Sequence, residues 1–187
     1  MKDITLQKAL EYAEKGAKII RVYSVDDEGV CLCSKREKCS SPGKHPSIPK
    51  WKENATSNPE VIKKWFKEKP ASNYGIATGA ESNLDVFDID PKNGGNESFA
   101  HMWGLIGDTL VSGLMVLSGS GGLHIYYHHR DDDDLTNREV YKGIDFRTNG
   151  GFIVGEGSMH ASGKRYRLIP DEFDYNKYMN GEYYDQL

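Results

Sequence analysis

The stretch Leu84-Asp85-Val86-Phe87-Asp88-Ile89-Asp90 constrains this chain more than any other. It is a short run of β-formers broken by acids and stopped by Pro91, so it reads as a buried strand. Side chains alternate faces along a strand, so Asp88 and Asp90 are expected on one face, roughly 7 Å apart. Two carboxylates at the end of an apolar strand are costly to bury unless something cationic sits between them. A pair of divalent ions is one answer, since Mg²⁺ is held by one or two carboxylates together with substrate phosphates. The simpler reading is a strand end with two solvated acids.

With 187 residues the chain is long enough for one large domain, or one domain with an appendage. A hydrophobic fraction of 37% and a charged fraction of 28% suit a soluble globular chain. No apolar run reaches the length of a membrane span, and the start lacks a secretory pattern, so a cytoplasmic location without membrane contact is expected. The net charge is −4, but it is unevenly spread. Residues 1–70 hold 15 Lys and Arg against 10 Asp and Glu, while residues 71–187 hold 9 against 18. The acidic run at 131–134 and the acidic end account for much of the second excess and read as solvated loops. An acidic centre flanked by basic segments suits a metal-dependent enzyme acting on a polyanion.

Residues 4–15 read as a helix with Leu6, Leu10 and Ala13 on one stripe and Gly16 as its stop. A strand is expected from Ala17 to Tyr23. The loop at about 25–50 then carries all three cysteines, Cys31, Cys33 and Cys39, followed by His45. Such a cluster suggests a tetrahedral zinc site, although one residue between the first two cysteines is tight for a zinc knuckle. Free thiols beside a phosphate-facing loop are the alternative. Ser57 or Asn58 caps a helix with Pro59 in its first turn and Val61, Ile62, Trp65 and Phe66 on its inner face. Tyr74 to Thr78 forms another strand, and a short helix from Asn96 turns Phe99, Met102 and Trp103 inward. Strands are expected at about 111–118, 123–128, 143–147, 151–155 and 165–169, with an acidic, tyrosine-rich tail over 171–187. Strands and helices interleave without a βαβ rhythm, which predicts an α+β fold around a mostly antiparallel sheet.

Two features join the acidic strand. In Ser118-Gly119-Ser120-Gly121-Gly122-Leu123-His124, Gly121 and Gly122 would let backbone N–H groups approach a phosphate, with His124 donating to the same group. A hairpin turn that needs only flexibility explains the glycines equally well. Gly143-Ile144-Asp145-Phe146-Arg147 places an acid and a base two apart on one strand face, where Asp145 could bridge metals and Arg147 meet a phosphate or a base. A lone Asp in such a strand would carry no meaning by itself.

Asp-Ile-Asp, Gly-Gly-Leu-His and Ile-Asp-Phe-Arg, in this order, resemble the three-motif signature of the archaeo-eukaryotic primase superfamily. More closely, the chain is similar to the primase-polymerase (prim-pol) domains of phages, plasmids and mobile elements. The likeness spans about residues 6–170 and includes Gly43-Lys44-His45-Pro46 with Trp51, Gly75-Ile76-Ala77-Thr78-Gly79 and Gly151-Phe152-Ile153-Val154. Gly157-Ser158-Met159-His160 and Gly163-Lys164-Arg165-Tyr166 follow the third motif. The resemblance implies a primase-polymerase catalytic domain over 1–170, in which an α/β module packs on a module like an RNA-recognition motif, with the active site between them. It implies that Asp88, Asp90 and Asp145 hold Mg²⁺ or Mn²⁺ and that His124 contacts the triphosphate of an incoming dNTP or NTP. Arg147 and Lys164 would be further phosphate contacts. Many relatives carry serine where this chain has Gly122, so Ser120 or a backbone N–H would take that place.

The activity implied is DNA-templated nucleotidyl transfer, as a primase, a polymerase or both, on single-stranded or primed DNA. A replicative helicase, fused or separate, accompanies such domains, and this sequence contains no ATP-binding P-loop. Two other classes are consistent with the same residues: a zinc-stabilised nucleic-acid-binding module without turnover, and a metal-dependent phosphohydrolase using water as the nucleophile.

Overall fold

The computed structural model describes residues 3–110, 113–131, 135–169 and 172–185. The expected strand start at 111–112 and most of the acidic run at 131–134 fall outside them. In chain order the first elements are α1 (Ile4–Glu14), β1 (Ile19–Tyr23), α2 (Trp51–Asn54), α3 (Pro59–Glu68) and β2 (Ser72–Ala77). Next come β3 (Asp85–Ile89), α4 (Gly95–Leu110), β4 (Leu114–Leu117), β5 (Leu123–Tyr127), β6 (Arg138–Tyr141) and β7 (Ile144–Arg147). The chain closes with β8 (Phe152–Val154), β9 (Arg167–Leu168), α5 (Tyr175–Met179) and α6 (Glu182–Asp185). Every strand pairing among the described residues is antiparallel, so the α+β expectation holds. No described helix is long and apolar enough to cross a membrane.

The chain divides into two compact units whose segments alternate along the sequence. Unit one comprises Met1–Ala77 and Phe152–Tyr166, around a sheet ordered β1-β2-β8. The Asp3 carboxylate caps α1 by accepting from the N–H groups of Thr5 and Leu6, and Gly16 ends it with a φ of 94°. Its buried residues are Thr5, Ala9 and Ala13, whereas Leu6 and Leu10 of the expected stripe are only half-buried. Small side chains at that spacing let the helix lie close to its neighbours, which moves the inward face by one position. Asn58 caps α3, and Ile62 and Phe66 are its buried residues; Trp65 is half-buried and Val61 exposed.

Unit two comprises Thr78–Gly151 and Arg167–Leu187, around a sheet ordered β6-β7-β3-β5-β4-β9. One face of this sheet is apolar. Ile89, Leu123, Ile125, Met115, Leu117 and Ile144 pack there with Phe99 and Met102 of α4 and with Tyr178 of α5. The tail joins the same cluster through Phe173, Tyr175, Met179 and Tyr183, and Trp103 stacks on Tyr175 at 4.8 Å and 14°. Fully burying an aromatic or branched side chain contributes about 1.5–3 kcal/mol, so this layer fixes the plane and register of the sheet. α4 is longer than the short helix expected and breaks at Ile106, with φ −141° and ψ 25°. β6 was not expected, because its sequence Arg-Glu-Val-Tyr exposes three residues of four and lacks an apolar alternation.

Candidate active site

The opposite face of the second sheet gathers the chemistry. Alternation in β3 sends Phe87 and Ile89 into the core, which leaves Asp88 on the other face. The same alternation in β7 buries Ile144 and Phe146 and puts Asp145 and Arg147 on the side of Asp88. In β5, Leu123 and Ile125 are core residues and His124 faces the other way. Asp88 is the direct register partner of Asp145 on one side and of His124 on the other. Three strands therefore present His124, Asp88 and Asp145 as one transverse row.

Charge contacts follow the row. His124 Nε2 lies 3.5 Å from Asp88 Oδ1. The Arg147 guanidinium approaches both acids, with Nη2 2.5 Å from Asp145 Oδ2 and 3.9 Å from Asp88 Oδ2. The His124 side chain is 6% exposed, whereas Asp88 and Asp145 are 27% and 39% exposed. The Arg147 guanidinium is the positive partner that the two half-exposed carboxylates share.

Asp90 lies one residue beyond the end of β3, in a different role from its neighbour. Its carboxylate accepts from the Lys92 N–H at 3.0 Å and from Asn93 Nδ2 at 2.9 Å, capping the turn that follows. Its backbone N–H donates to Gly143 O at 2.8 Å and its carbonyl accepts from the Gly95 N–H at 2.9 Å. A Cβ on Gly143 would lie 2.5 Å from Gly95 N, so glycine permits the close approach that anchors Asp90 beside the start of β7. Each carboxylate oxygen has a second lone pair, so the capping contacts leave Asp90 able to take a metal ion.

The glycine turn is organised differently from an open phosphate cradle. The Gly121 N–H donates to Ser118 O at 3.0 Å and the Gly122 N–H to Ser118 Oγ at 2.9 Å. Both amides expected to face a phosphate are thus engaged within the turn. A Cβ on Gly122 would meet Ile89 O at 2.5 Å, which explains why this chain carries no serine there. Ser120 is half-buried, with its hydroxyl 3.0 Å from that of Ser118. Lys164 belongs to unit one, on the turn closed by the bridge of Met159 to Arg165, and to no strand of this sheet.

One acid escaped the sequence reading. Glu139 in β6 is the register partner of Asp145 and extends the row by one strand, its Oε1 accepting from the Gly143 N–H at 2.8 Å. The signal was the tight Tyr141-Lys142-Gly143 turn, which folds residues 138–141 back along β7.

In unit one, Cys31, Cys33, Cys39 and His45 come together, with their four ligand atoms all within 4.8 Å of one another. His45 Nε2 is 3.5 Å from Cys31 Sγ and 3.4 Å from Cys39 Sγ. A tetrahedron with Zn–S bonds near 2.3 Å has edges of about 3.8 Å, so the group is of a size to bind zinc. Burial opposes ionisation of Cys33, but the Lys35 backbone N–H, Cys31, His45 and Cys39 outweigh it and bring the thiol down to about 6. Burial, reinforced by Cys31 and Cys33, pushes the Cys39 thiol up.

No curated protein matches this chain. The family model described as bifunctional DNA primase/polymerase, N-terminal, matches residues 9–179, spanning both units and running into the tail. The row of acids and histidine thus stands in a chain that belongs to the Prim-Pol family of bifunctional DNA primase/polymerases.

Proposed function

We propose that this chain is a template-dependent nucleotidyltransferase in which Asp88, Asp90 and Asp145 hold two divalent ions, Mg²⁺ or Mn²⁺. The observation that carries the reading is register: Asp88 is flanked in line by Asp145 and His124 on three adjacent strands. When bound, the ions lower the pKa of a 3′-hydroxyl and stabilise charge developing on the α-phosphate and the pyrophosphate. The chain's own groups do the positioning. His124, held by burial beside Asp88, donates to the triphosphate. Only Nη2 of Arg147 is engaged with the acids, so the rest of its fork is directed to a phosphate. Ser120 is a further phosphate contact, and Gly121 and Gly122 serve by shaping the turn.

The substrates are a dNTP or NTP and single-stranded or primed DNA. Labelled nucleotides of both sugars, incubated with unprimed single-stranded DNA and either metal, would be read by product length. Incorporation by Asp88→Ala/Asp90→Ala within tenfold of wild type would overturn the mechanism. Cys31, Cys33, Cys39 and His45 are proposed to hold a structural zinc ion. Protein purified without metal-affinity resin should retain close to one zinc per chain after dialysis. Well under half an equivalent removes that assignment.

A further inference from the structure

The segment over residues 33–52 is out of keeping with its chain. It holds six cations, Lys35, Arg36, Lys38, Lys44, Lys50 and Lys52, and a single acid, Glu37, within a protein of net charge −4. All six cations are exposed. Arg36 pairs with Asp26 and Lys50 with Glu53, but Lys35, Lys38 and Lys44 have no acidic partner among the described residues. On α3, by comparison, two of the three exposed lysines, Lys63 and Lys64, pair along their own helix. Unpaired like charge in one short segment is repulsive unless a polyanion meets it.

The backbone points the same way. Arg36 and Lys50 have φ of 48° and 45°, two of the three non-glycine residues with positive φ among those described. That region is disfavoured for side-chain-bearing residues, so surrounding structure must impose it. An aromatic ring completes the surface. Trp51 is half-buried, meets Phe152 edge-on at 5.2 Å, and carries the Lys52 ammonium 5.6 Å from its centroid. Beside the segment lies a cleft of about 430 Å³ whose lining includes Arg21, Ser34, Ser47 and Lys69. Arg21 there donates from Nε to Ser47 Oγ at 3.0 Å and pairs through Nη1 with Glu68 at 3.6 Å. A groove with positive charge and an anchored aromatic face is how proteins track unpaired strands, lysines meeting phosphates and the ring stacking on a base.

We infer that residues 33–52 form a binding surface for single-stranded DNA, with Trp51 as its stacking platform. The inference rests on the reading of the chain as a DNA-templated enzyme and adds where the strand is held. It also gives the Cys/His cluster a purpose, since closing that cluster fixes the segment that displays the lysines.

The test is anisotropy of fluorescein-labelled oligothymidylate over a range of KCl, without nucleotide or divalent ion. Replacing Lys35, Lys38, Lys44 and Lys52 together by Gln should weaken binding at low salt by at least about tenfold. It should also reduce the slope of log affinity against log salt by about 3, since each lost phosphate contact removes about 0.7 on a single strand. Lys63→Gln/Lys64→Gln/Lys67→Gln, on α3, should leave the slope unchanged. Trp51→Leu, which keeps an apolar side chain against Phe152, should cost about tenfold at unchanged slope, and Trp51→Phe much less. An unchanged slope in the loop variant, or an equal loss in the α3 variant, overturns the inference. Nucleotide incorporation is scored separately. Lost DNA binding in a protein that never incorporates nucleotide sinks the catalytic reading and keeps this surface. Incorporation with DNA binding unaltered by the loop changes sinks the surface alone.

Discussion

Asp88 and Asp145 stand on a six-stranded sheet whose reverse face is packed with Phe99, Ile125 and Ile144. Cys31, Cys33, Cys39 and His45 stand on loops, with a single 3-10 turn at Arg36–Lys38 between them. On the sheet, strand register places the polar groups, and a core beneath them holds that register. In the loop, Cys31 and Cys33 are themselves the buried residues, and the ligand set must supply the order. Removing functional side chains from the sheet should therefore cost activity and little stability. Removing them from the loop should cost order.

The largest effect expected is on catalysis. Asp88→Ala/Asp145→Ala should lower nucleotide incorporation by at least about a thousandfold, the scale on which charge-stabilising groups act. The melting temperature should move by only a few degrees, because the loss of carboxylate repulsion offsets the loss of the exposed Arg147 pair. A collapse of the melting temperature in this variant would mean that the row holds the sheet together rather than standing on it.

Next in size is the contrast between core and cluster. Phe99→Ala, at a fully buried position, should destabilise unit two by about 3–5 kcal/mol and leave zinc content untouched. Stripping zinc with a thiol-modifying reagent should do the reverse, making residues 25–50 protease-sensitive while unit two keeps its thermal transition. Limited proteolysis with mass mapping, alongside calorimetry, separates the two. Equal cleavage of residues 25–50 with and without the reagent would show that the loop holds itself.

These differences track what was legible in the sequence. Asp88 and Asp145 stood out because strand alternation sets charged residues on one face of β3 and of β7, and His124 because it follows the glycine-rich turn into β5. That all three fall in one row was not legible, since register depends on turns and on pairing between distant segments. The alternation of the two units along the chain was hidden for the same reason, because local pattern does not reveal which strand pairs with β2. The tail gave no signal, as Tyr175 and Tyr178 acquire their meaning only against Trp103 and Phe99. The Cys/His loop was legible as a candidate ligand set but silent about geometry.

A smaller effect sharpens the role of the histidine in the row. His124→Ala should weaken nucleotide binding by about 1.5–3 kcal/mol, the contribution of a hydrogen bond to a charged group. Affinity for DNA should hardly change. Fluorescence titration showing DNA binding lost and nucleotide binding kept would assign His124 to the template instead.

The smallest effect belongs to the loop and depends on pH. Cys33 titrates near 6 in the folded protein, well below an unperturbed thiol, because the Lys35 N–H and the neighbouring cysteines and histidine outweigh its burial. Between that value and the ordinary thiol range the unfolded chain binds a proton that the folded one does not, so stability rises with pH across the window. The contribution is fully present above the unfolded pKa and is lost as pH falls through about 6. In metal-free protein the melting temperature should therefore climb between pH 6 and 9, and Cys33→Ser should remove that part of the climb. With zinc bound the thiolates are held by the ion, and the window should move to lower pH. Parallel curves for the metal-free protein and its Cys33→Ser variant would show that the Cys33 environment does not favour the thiolate, and would leave the metal alone to order the loop.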